Sequence, residues 1–395
     1  MRDPEYWLLP EGIEETLPQA AARLEGVRRE LLDLYRAWGY ELVIPPLIEY
    51  LESLLTGAGR ELDLETFKLT DQLNGRLMGV RADITPQVAR IDAHRLRREG
   101  PARLCYMARV LRTRPQGQGG TRSPLQVGAE LYGHAGADSD IEILRLMLAT
   151  LAICGVERVH VDLGHIDIFR CLVQAAQLSA EDEATVFGLL QRKAVSEMSE
   201  TLATGGMNET HRRRFLDLAV LHGDAEVLPR ARERFAGVDP RIDAALDYLE
   251  EVAATIRIAA PEVELCFDLG ELRGYHYHSG LVYAAYVPGR GRELARGGRY
   301  DGIGEAFGRA RPATGFSADL EDLLEAGALA ADSVESRVFA PADTDAALEE
   351  TIRALRAEGN IVVRALRGQQ EDARTMGCDR MLVRRGNQWL LTEVN

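Results

Sequence analysis

Thr121-Arg122-Ser-Pro-Leu125-Gln126-Val-Gly128-Ala-Glu130-Leu-Tyr132-Gly133-His134 reads as a β-strand with two unlike faces. Side chains alternate sides along a strand. Leu125, Val127, Ala129 and Leu131 therefore share an apolar face, and Gln126, Gly128 and Glu130 share a polar one. A sheet that buries one face and turns a carboxylate and an amide to the other can floor a binding site. Upstream, Leu104–Leu111 has strand character and is joined to this strand by a loop holding Gly117, Gly119 and Gly120. Downstream, Ile141–Leu151 has helical character and Val159–Leu163 is a further strand. Before the pair, Leu24, Val27, Leu31, Leu34, Tyr35 and Trp38 recur at three- and four-residue steps. They predict a helix over residues 16–38, ended by Gly39, then a strand at Tyr40–Ile44 stopped by Pro45-Pro46.

From Ile168 to about Ile258 helical signals replace strand signals. Ser179 with Asp182 makes an N-terminal cap pair, Asp239-Pro240 starts a helix, and Ala244–Ile256 is periodic. Strands are expected again at Val263–Asp268 and over about Arg273–Val287. A glycine-rich stretch, Arg296–Gly302, then leads into an apolar helix ending near Leu324. In the tail, strands are expected at Val338–Ala340, Ile361–Leu366, Met381–Arg384 and Trp389–Val394, with a helix at Ala346–Ala357. The domain expectation is a core of residues 1–167 and 259–325, a helical insertion at 168–258, a linker at 326–336 and a small α/β domain at 337–395. An antiparallel sheet with an inserted helical block and a small α/β tail is the α+β class. No GxGxxG follows a strand and no P-loop occurs, so a doubly wound nucleotide fold is excluded.

The chain has 395 residues and a formal charge of −15, from 47 Lys+Arg against 62 Asp+Glu. That length suits two or three domains. The acidic balance argues against a surface coated by nucleic acid, though a local basic site is compatible with it. Five scattered cysteines without a Cys-x-x-Cys read as reduced thiols. Met1–Trp7 lacks the order of a signal peptide, and Leu146–Val156 is too short to span a bilayer, so a cytoplasmic location is expected.

Three clusters are candidates for a pocket: Arg81-Ala-Asp83-Ile-Thr85, the face of Gln126 and Glu130, and Arg273-Gly-Tyr-His-Tyr277-His278. Two carboxylates and an amide suit an ammonium group, and a guanidinium suits a carboxylate. Tyrosine and histidine suit a small ring or polar side chain. Together they describe a site for a free amino acid. His276 and His278 would alternate on a strand, but no third ligand sits at metal spacing, so no metal and no cofactor are expected. Arg112, Arg114 and Arg122 flank the glycine-rich loop, where they suit a phosphate, an acidic partner or plain surface.

These motifs, in this order, resemble histidyl-tRNA synthetase over about residues 5–325. The helix–strand segment through Pro45 is similar to the class II motif 1 dimer element. Arg122-x-x-x-Gln126-x-Gly128-x-Glu130-x-x-Gly133 is similar to the end of motif 2. Arg273–Tyr277 resembles the Arg-Gly-Leu-Asp-Tyr-Tyr histidine signature, and Gly297–Gly302 with Gly315-Phe316 resembles the lead into motif 3. The departures concern ATP. Aligned on Arg114-Pro115, Leu111 stands where motif 2 has its arginine, while a one-residue slide would put Arg112 there and Arg114 at the following glutamate. Motif 3 ends in Asp319-Leu-Glu-Asp322 instead of Gly-Leu-Glu-Arg.

A kept amino-acid pocket with a dismantled ATP site resembles the synthetase paralogues that are regulatory subunits of ATP phosphoribosyltransferase. Gly128–His134 and Tyr277–Tyr286 are similar to that subfamily in particular. The resemblance implies a non-catalytic subunit that joins a short-form catalytic subunit in a hetero-octamer and takes part in histidine feedback on the first step of histidine biosynthesis. It also implies self-association through the motif 1 region, no tRNA and no membrane. Asp83, Thr85 and Glu130 would take the amino group or ring of histidine, and Gln126 would add a hydrogen bond. Arg273 would hold a carboxylate, and Tyr277 and His278 would close the side-chain pocket. An active histidyl-tRNA synthetase and a free-standing amino-acid sensor are the alternatives.

Overall fold

In the computed structural model the described residues are 7–57, 60–115, 120–204, 206–275, 277–328 and 336–394. They fall into two compact units, residues 1–328 and 329–395. The first unit begins with helix α1 (Pro18–Ala37), followed by strands β1 (Glu41–Leu42) and β2 (Ile48–Tyr50). Short helices α2 (Leu51–Leu54) and α3 (Arg60–Glu65), strands β3 (Phe67–Thr70) and β4 (Leu77–Val80), and helix α4 (Thr85–Arg90) come next. Strands β5 (Ala102–Arg109) and β6 (Leu125–Tyr132) precede helix α5 (Ala137–Ile153) and strand β7 (His160–His165). The helical block then runs through α6 (Ile166–Ala176), α7 (Ala180–Gln191), α8 (Val195–Thr204) and α9 (Glu209–Val220). A two-residue strand β8 (His222–Gly223) interrupts it before α10 (Val227–Phe235) and α11 (Pro240–Ala259). The unit finishes with β9 (Glu264–Asp268), β10 (Leu281–Tyr286), β11 (Ala295–Arg299), β12 (Ala313–Asp319) and α12 (Leu320–Ala326).

Among the described residues, nine of these strands form one sheet in the order β1-β5-β6-β12-β11-β10-β7-β9-β8. Its central pairs are antiparallel, with Gly128 opposite Tyr106 on one side and Ser317 on the other. Strand β1 runs parallel to β5 at one edge, and β9 runs parallel to β7 near the other. Helices α5 and α11 pack together beneath this sheet, and α1 lies against α5, where the Tyr35 and Thr150 hydroxyls are 3.1 Å apart. Every residue of β6 is buried, which is why its polar Gln126 and Glu130 must find partners inside the protein.

Two sequence expectations change. The segment from Arg273 is not a strand: Gly274 has φ +68°, and its carbonyl accepts from the Tyr277 and His278 amides at 2.7 and 2.8 Å, closing a turn. The extended run starts only at Leu281. The predicted helix after Gly302 is replaced by turns, a short 3-10 segment at Glu305–Phe307 and strand β12, and α12 begins only after Asp319, whose carboxylate accepts from the Glu321 amide at 3.0 Å. The glycines of Arg296–Gly302 lie partly on β11, where a side chain at Gly297 would strike the Tyr283 hydroxyl.

In the second unit, strands β13 (Arg337–Ala340), β14 (Ile361–Arg364), β15 (Arg380–Arg385) and β16 (Gln388–Glu393) form a sheet ordered β14-β13-β15-β16. Helix α13 (Ala346–Ala357) buries Leu348 and Ile352 against Val338, Val362 and Leu382. Asp345 caps that helix and also accepts from the Trp389 indole at 2.9 Å, which fixes the start of β16 to the start of the helix.

A buried ion pair ties the first sheet to its helical layer. Arg299 on β11 donates to both oxygens of Asp140 on α5 at 3.0 and 3.1 Å, and Asp140 is 0% exposed. Removing one partner leaves the other charge buried and unpaired, which typically costs about 3–5 kcal/mol. Asp140→Ala is accordingly expected to lower the unfolding free energy by about that amount. Denaturant titration of the variant checks this, and an unchanged midpoint would refute it.

Candidate amino-acid site and adjoining cleft

Asp83 follows β4, and its carboxylate is held by backbone and amide donors. Ile84 N donates to it at 2.7 Å and Gln126 Nε2 at 2.8 Å. The other end of the Gln126 amide accepts from Ile84 N at 3.0 Å. Gln126 thus works as a brace for Asp83. Thr85 opens α4 and sets its hydroxyl 3.1 Å from the Tyr106 hydroxyl on β5.

Glu130 is 0% exposed. Tyr106 Oη donates to its Oε1 at 3.2 Å, and Tyr300 donates to Oε2. Space for the carboxylate comes from glycine: a Cβ at Gly315, opposite it on β12, would lie 1.5 Å from Glu130 Oε2. A Cβ at Gly128 would likewise meet Tyr106 Oη at 2.5 Å. Burial pushes Glu130 up to about 8, against the pull of the Tyr300, Thr85 and Tyr106 hydroxyls, while nearby Asp83 adds to the rise. Burial also raises Tyr106, Tyr277 and Tyr300 well above the usual phenol range, so they stay protonated donors.

Tyr277 stacks on Tyr300 with ring centroids 4.9 Å apart. Its hydroxyl is buried and has no hydrogen-bond partner among the described residues. A buried unpaired hydroxyl is costly, and a ligand atom in the cavity is the natural partner. His278 has its Nδ1 3.2 Å from the Arg299 carbonyl, and burial lowers its ring to about 4. The ring is therefore neutral at ordinary pH, with the proton on Nδ1 and Nε2 left as an acceptor.

Asp83, Thr85, Glu130, Arg273, Tyr277 and His278 line one cavity of about 690 Å³. Arg273 differs from the others. It pairs with Glu293 at 2.5 Å and Glu271 at 3.5 Å, so its charge already has carboxylate partners. Gln126 lines an adjoining cleft of about 380 Å³ instead. His278 lies in the Gly274 turn and not on a strand, and His276 lies outside the described residues. Among the described residues no cluster of three metal-ligating side chains occurs.

The three arginines of the glycine-rich loop part company. Arg112, not Leu111, lines both cavities, so the slid motif 2 register is the one with its arginine at the site. Arg112 is 9% exposed and donates to the Ala82 carbonyl at 3.3 Å, and burial lowers its pKa. Arg122 is spent on the Arg112 and Glu11 carbonyls, each at 3.1 Å, and lies over the Phe67 ring. Arg114 is exposed and lines neither cavity. Of the three, only Arg112 lines these cavities.

Sequence reasoning missed Arg292 and Arg296, which line the cleft beside Asp319 and Asp322. Their only sequence signal was proximity to the glycine-rich run. Cations are therefore present, but Arg292 is paired with Asp322 and Arg296 lies 3.3 Å from Glu293. Burial, with Asp322 beside it, pushes Asp319 up to about 7. The cleft is thus a nearly balanced set of charges, a poor clamp for a triphosphate.

The histidyl-tRNA synthetase family profile matches residues 12–323, and the profile of the ATP phosphoribosyltransferase subunit HisZ C-terminal domain matches residues 335–392. An ATP phosphoribosyltransferase regulatory subunit from Thioalkalivibrio sulfidiphilus is 58% identical over 395 residues, covering 100% of both chains. The chain belongs to the ATP phosphoribosyltransferase regulatory subunit family. Another member, from Nitrosococcus oceani, is 53% identical over 390 residues, covering 99% of this chain and 98% of that one. Among solved structures, an ATP phosphoribosyltransferase regulatory subunit/histidyl-tRNA synthetase from Bacillus halodurans superposes with TM-score 0.83 at 26% identity, covering 95% and 97% of the two chains. The histidyl-tRNA synthetase from Nostoc has TM-score 0.76 at 18% identity, covering 95% and 91%, and shares the fold. This chain thus combines a histidyl-tRNA synthetase-like fold with the HisZ C-terminal domain.

The raised Glu130 carboxyl makes a pH signature. The folded state keeps a proton there that the unfolded chain releases near 4.5, so it binds more protons than the unfolded state between 4.5 and about 8. The corresponding stability is complete below 4.5 and is lost as pH rises through about 8. Asp319 adds the same sign of slope from 3.8 up to about 7. Glu130→Gln is expected to reduce the loss of stability between about pH 5 and about pH 9 and to be the more stable protein above about pH 8. Denaturation midpoints across that range decide it, and parallel wild-type and variant profiles would count against it.

Proposed function

We propose that this chain is the non-catalytic regulatory subunit of an ATP phosphoribosyltransferase, acting with a short-form catalytic subunit in a hetero-octamer. The observation that carries this reading is end-to-end similarity to proteins of that name, 58% identical across the whole chain. Histidine occupies the 690 Å³ cavity as feedback effector. Asp83, braced by Gln126, takes the ammonium group together with Thr85. Glu130, the Tyr277 hydroxyl and the neutral His278 meet the imidazole. Glu130 can hold its proton or release it, so it offers a donor or an acceptor to a ring that does the same.

The carboxylate of histidine falls to Arg112 more readily than to Arg273. Arg112 lies at the junction of the two cavities with Glu65 only at 3.9 Å, whereas Arg273 is paired with two glutamates at 2.5 and 3.5 Å. The balanced charges of the cleft support a subunit that has left aminoacylation behind and takes no tRNA. Self-association through the motif 1 region is supported by β1 at the sheet edge and by Ile44, 78% exposed, beside exposed Leu42, Leu47 and Ile48. No helix among the described residues is long and apolar enough to cross a membrane, in keeping with a cytoplasmic subunit.

A regulatory subunit acts by binding one state of its partner better than another. Mixing the protein with a short-form ATP phosphoribosyltransferase is expected to give a co-eluting complex, raised activity and inhibition by histidine. Separate elution with no change in activity would overturn the proposal. In the same complex, Glu130→Ala is expected to weaken histidine inhibition by about ten-fold or more, since an unpaired buried polar group typically costs 1–3 kcal/mol or more. The protein alone is expected to show no histidine-dependent ATP–pyrophosphate exchange.

A further inference from the structure

The cavity is not built by the sheet alone. Phe187 and Gln191, four residues apart on one face of α7, line it together with Asp83, Thr85 and Glu130. Helix α7 belongs to the block inserted between β7 and β9, far from the motifs that floor the site. The same block grips the turn that carries Arg273, Tyr277 and His278. Tyr275 Oη donates to Glu183 Oε1 on α7 at 2.8 Å. The Tyr275 ring sits 5.0 Å from Phe169 of α6 and 5.5 Å from Phe187 of α7. Arg170 of α6 donates to the His278 carbonyl at 2.7 Å. Just past α7, Lys193 pairs with Asp268, at the end of the strand that leads into the turn.

The cavity's volume also bears on this. At about 690 Å³ it lies in the range that holds drug-sized ligands, so the polar floor does not by itself enclose one amino acid. Selection among ligands that share an ammonium and a ring falls to whatever closes the remaining side. Phe187 supplies a flat apolar surface that limits size. Gln191 supplies a side-chain amide able to donate and accept.

We propose that Phe187 and Gln191 are specificity-determining residues of the amino-acid site, and that through them the helical block senses whether the site is filled. The proposal rests on the reading that histidine occupies the cavity. A ligand pressed against α7 tightens a helix already fastened to the turn beneath it, so occupancy reaches the inserted block directly.

Calorimetry of the full-length protein with histidine and with ring N-methylated histidine tests this, alongside amide hydrogen exchange. Wild type is expected to prefer histidine and to slow exchange over Glu183–Gln191 when it binds. Gln191→Ala and Phe187→Ala are each expected to weaken histidine by about three- to ten-fold and to narrow the preference over the methylated analogue. Gln191 is exposed, so its variant decides the matter should Phe187→Ala unfold. Wild-type affinity and preference in a folded Gln191→Ala, with no added protection in α7, would overturn the inference while leaving the site intact. If wild type itself takes up no histidine, the reading of the cavity fails and the inference falls with it.

Discussion

A carboxyl group with no exposure to water sits at the centre of the first sheet, and much of the surrounding architecture accommodates it. Glu130 needs donors, and Tyr106 and Tyr300 provide them from β5 and from the end of β11. It needs volume, and Gly315 provides it by having no side chain. It needs a floor that does not shift, and the Asp140–Arg299 pair pins β11 to α5. Remove the carboxyl and the glycines, the tyrosines and the buried arginine lose their joint purpose. Packed interiors respond to changes of one methylene, so the carboxyl, its hydroxyl donors and the glycines around it depend on one another.

The parts legible in the sequence were those where local pattern and tertiary role agree. Strand β6 alternates cleanly because one face is core and the other is site. Helix α13 was legible because periodicity and the Asp345 cap agree. Strands β11 and β12 were hidden for a physical reason. Their glycines depress strand propensity but are required where Tyr283 and Glu130 approach the backbone. The segment after Arg273 carries aromatic residues that favour strands, yet Gly274 folds it into a turn that places Tyr277 over Tyr300.

Among the candidate residues, Asp83, Thr85, Glu130, Tyr277 and His278 could be named from motifs because each lies on or beside a motif-bearing element. The distribution of charge could not. Whether Arg122 reaches a ligand depends on Phe67 and on the Glu11 carbonyl, which no local pattern reveals. Arg296 enters the cleft from β11, which pairs with β12, and Arg292 from the segment just before β11, and neither strand was legible. Phe187 and Gln191 reach the site from an insertion that sequence alone treats as separate.

The pairing of Arg292 with Asp322 has a corollary for substitution at the cleft. Placing an arginine at position 322 by a single substitution would set two guanidinium groups face to face, where like charges repel. It would also strip Arg292 of its partner. A cleft that presented a free cation at position 322 would need both positions altered together. Neighbouring substitutions that depend on each other in this way are non-additive. The two positions are therefore coupled: neither side chain can be exchanged alone without leaving the other's charge unpartnered.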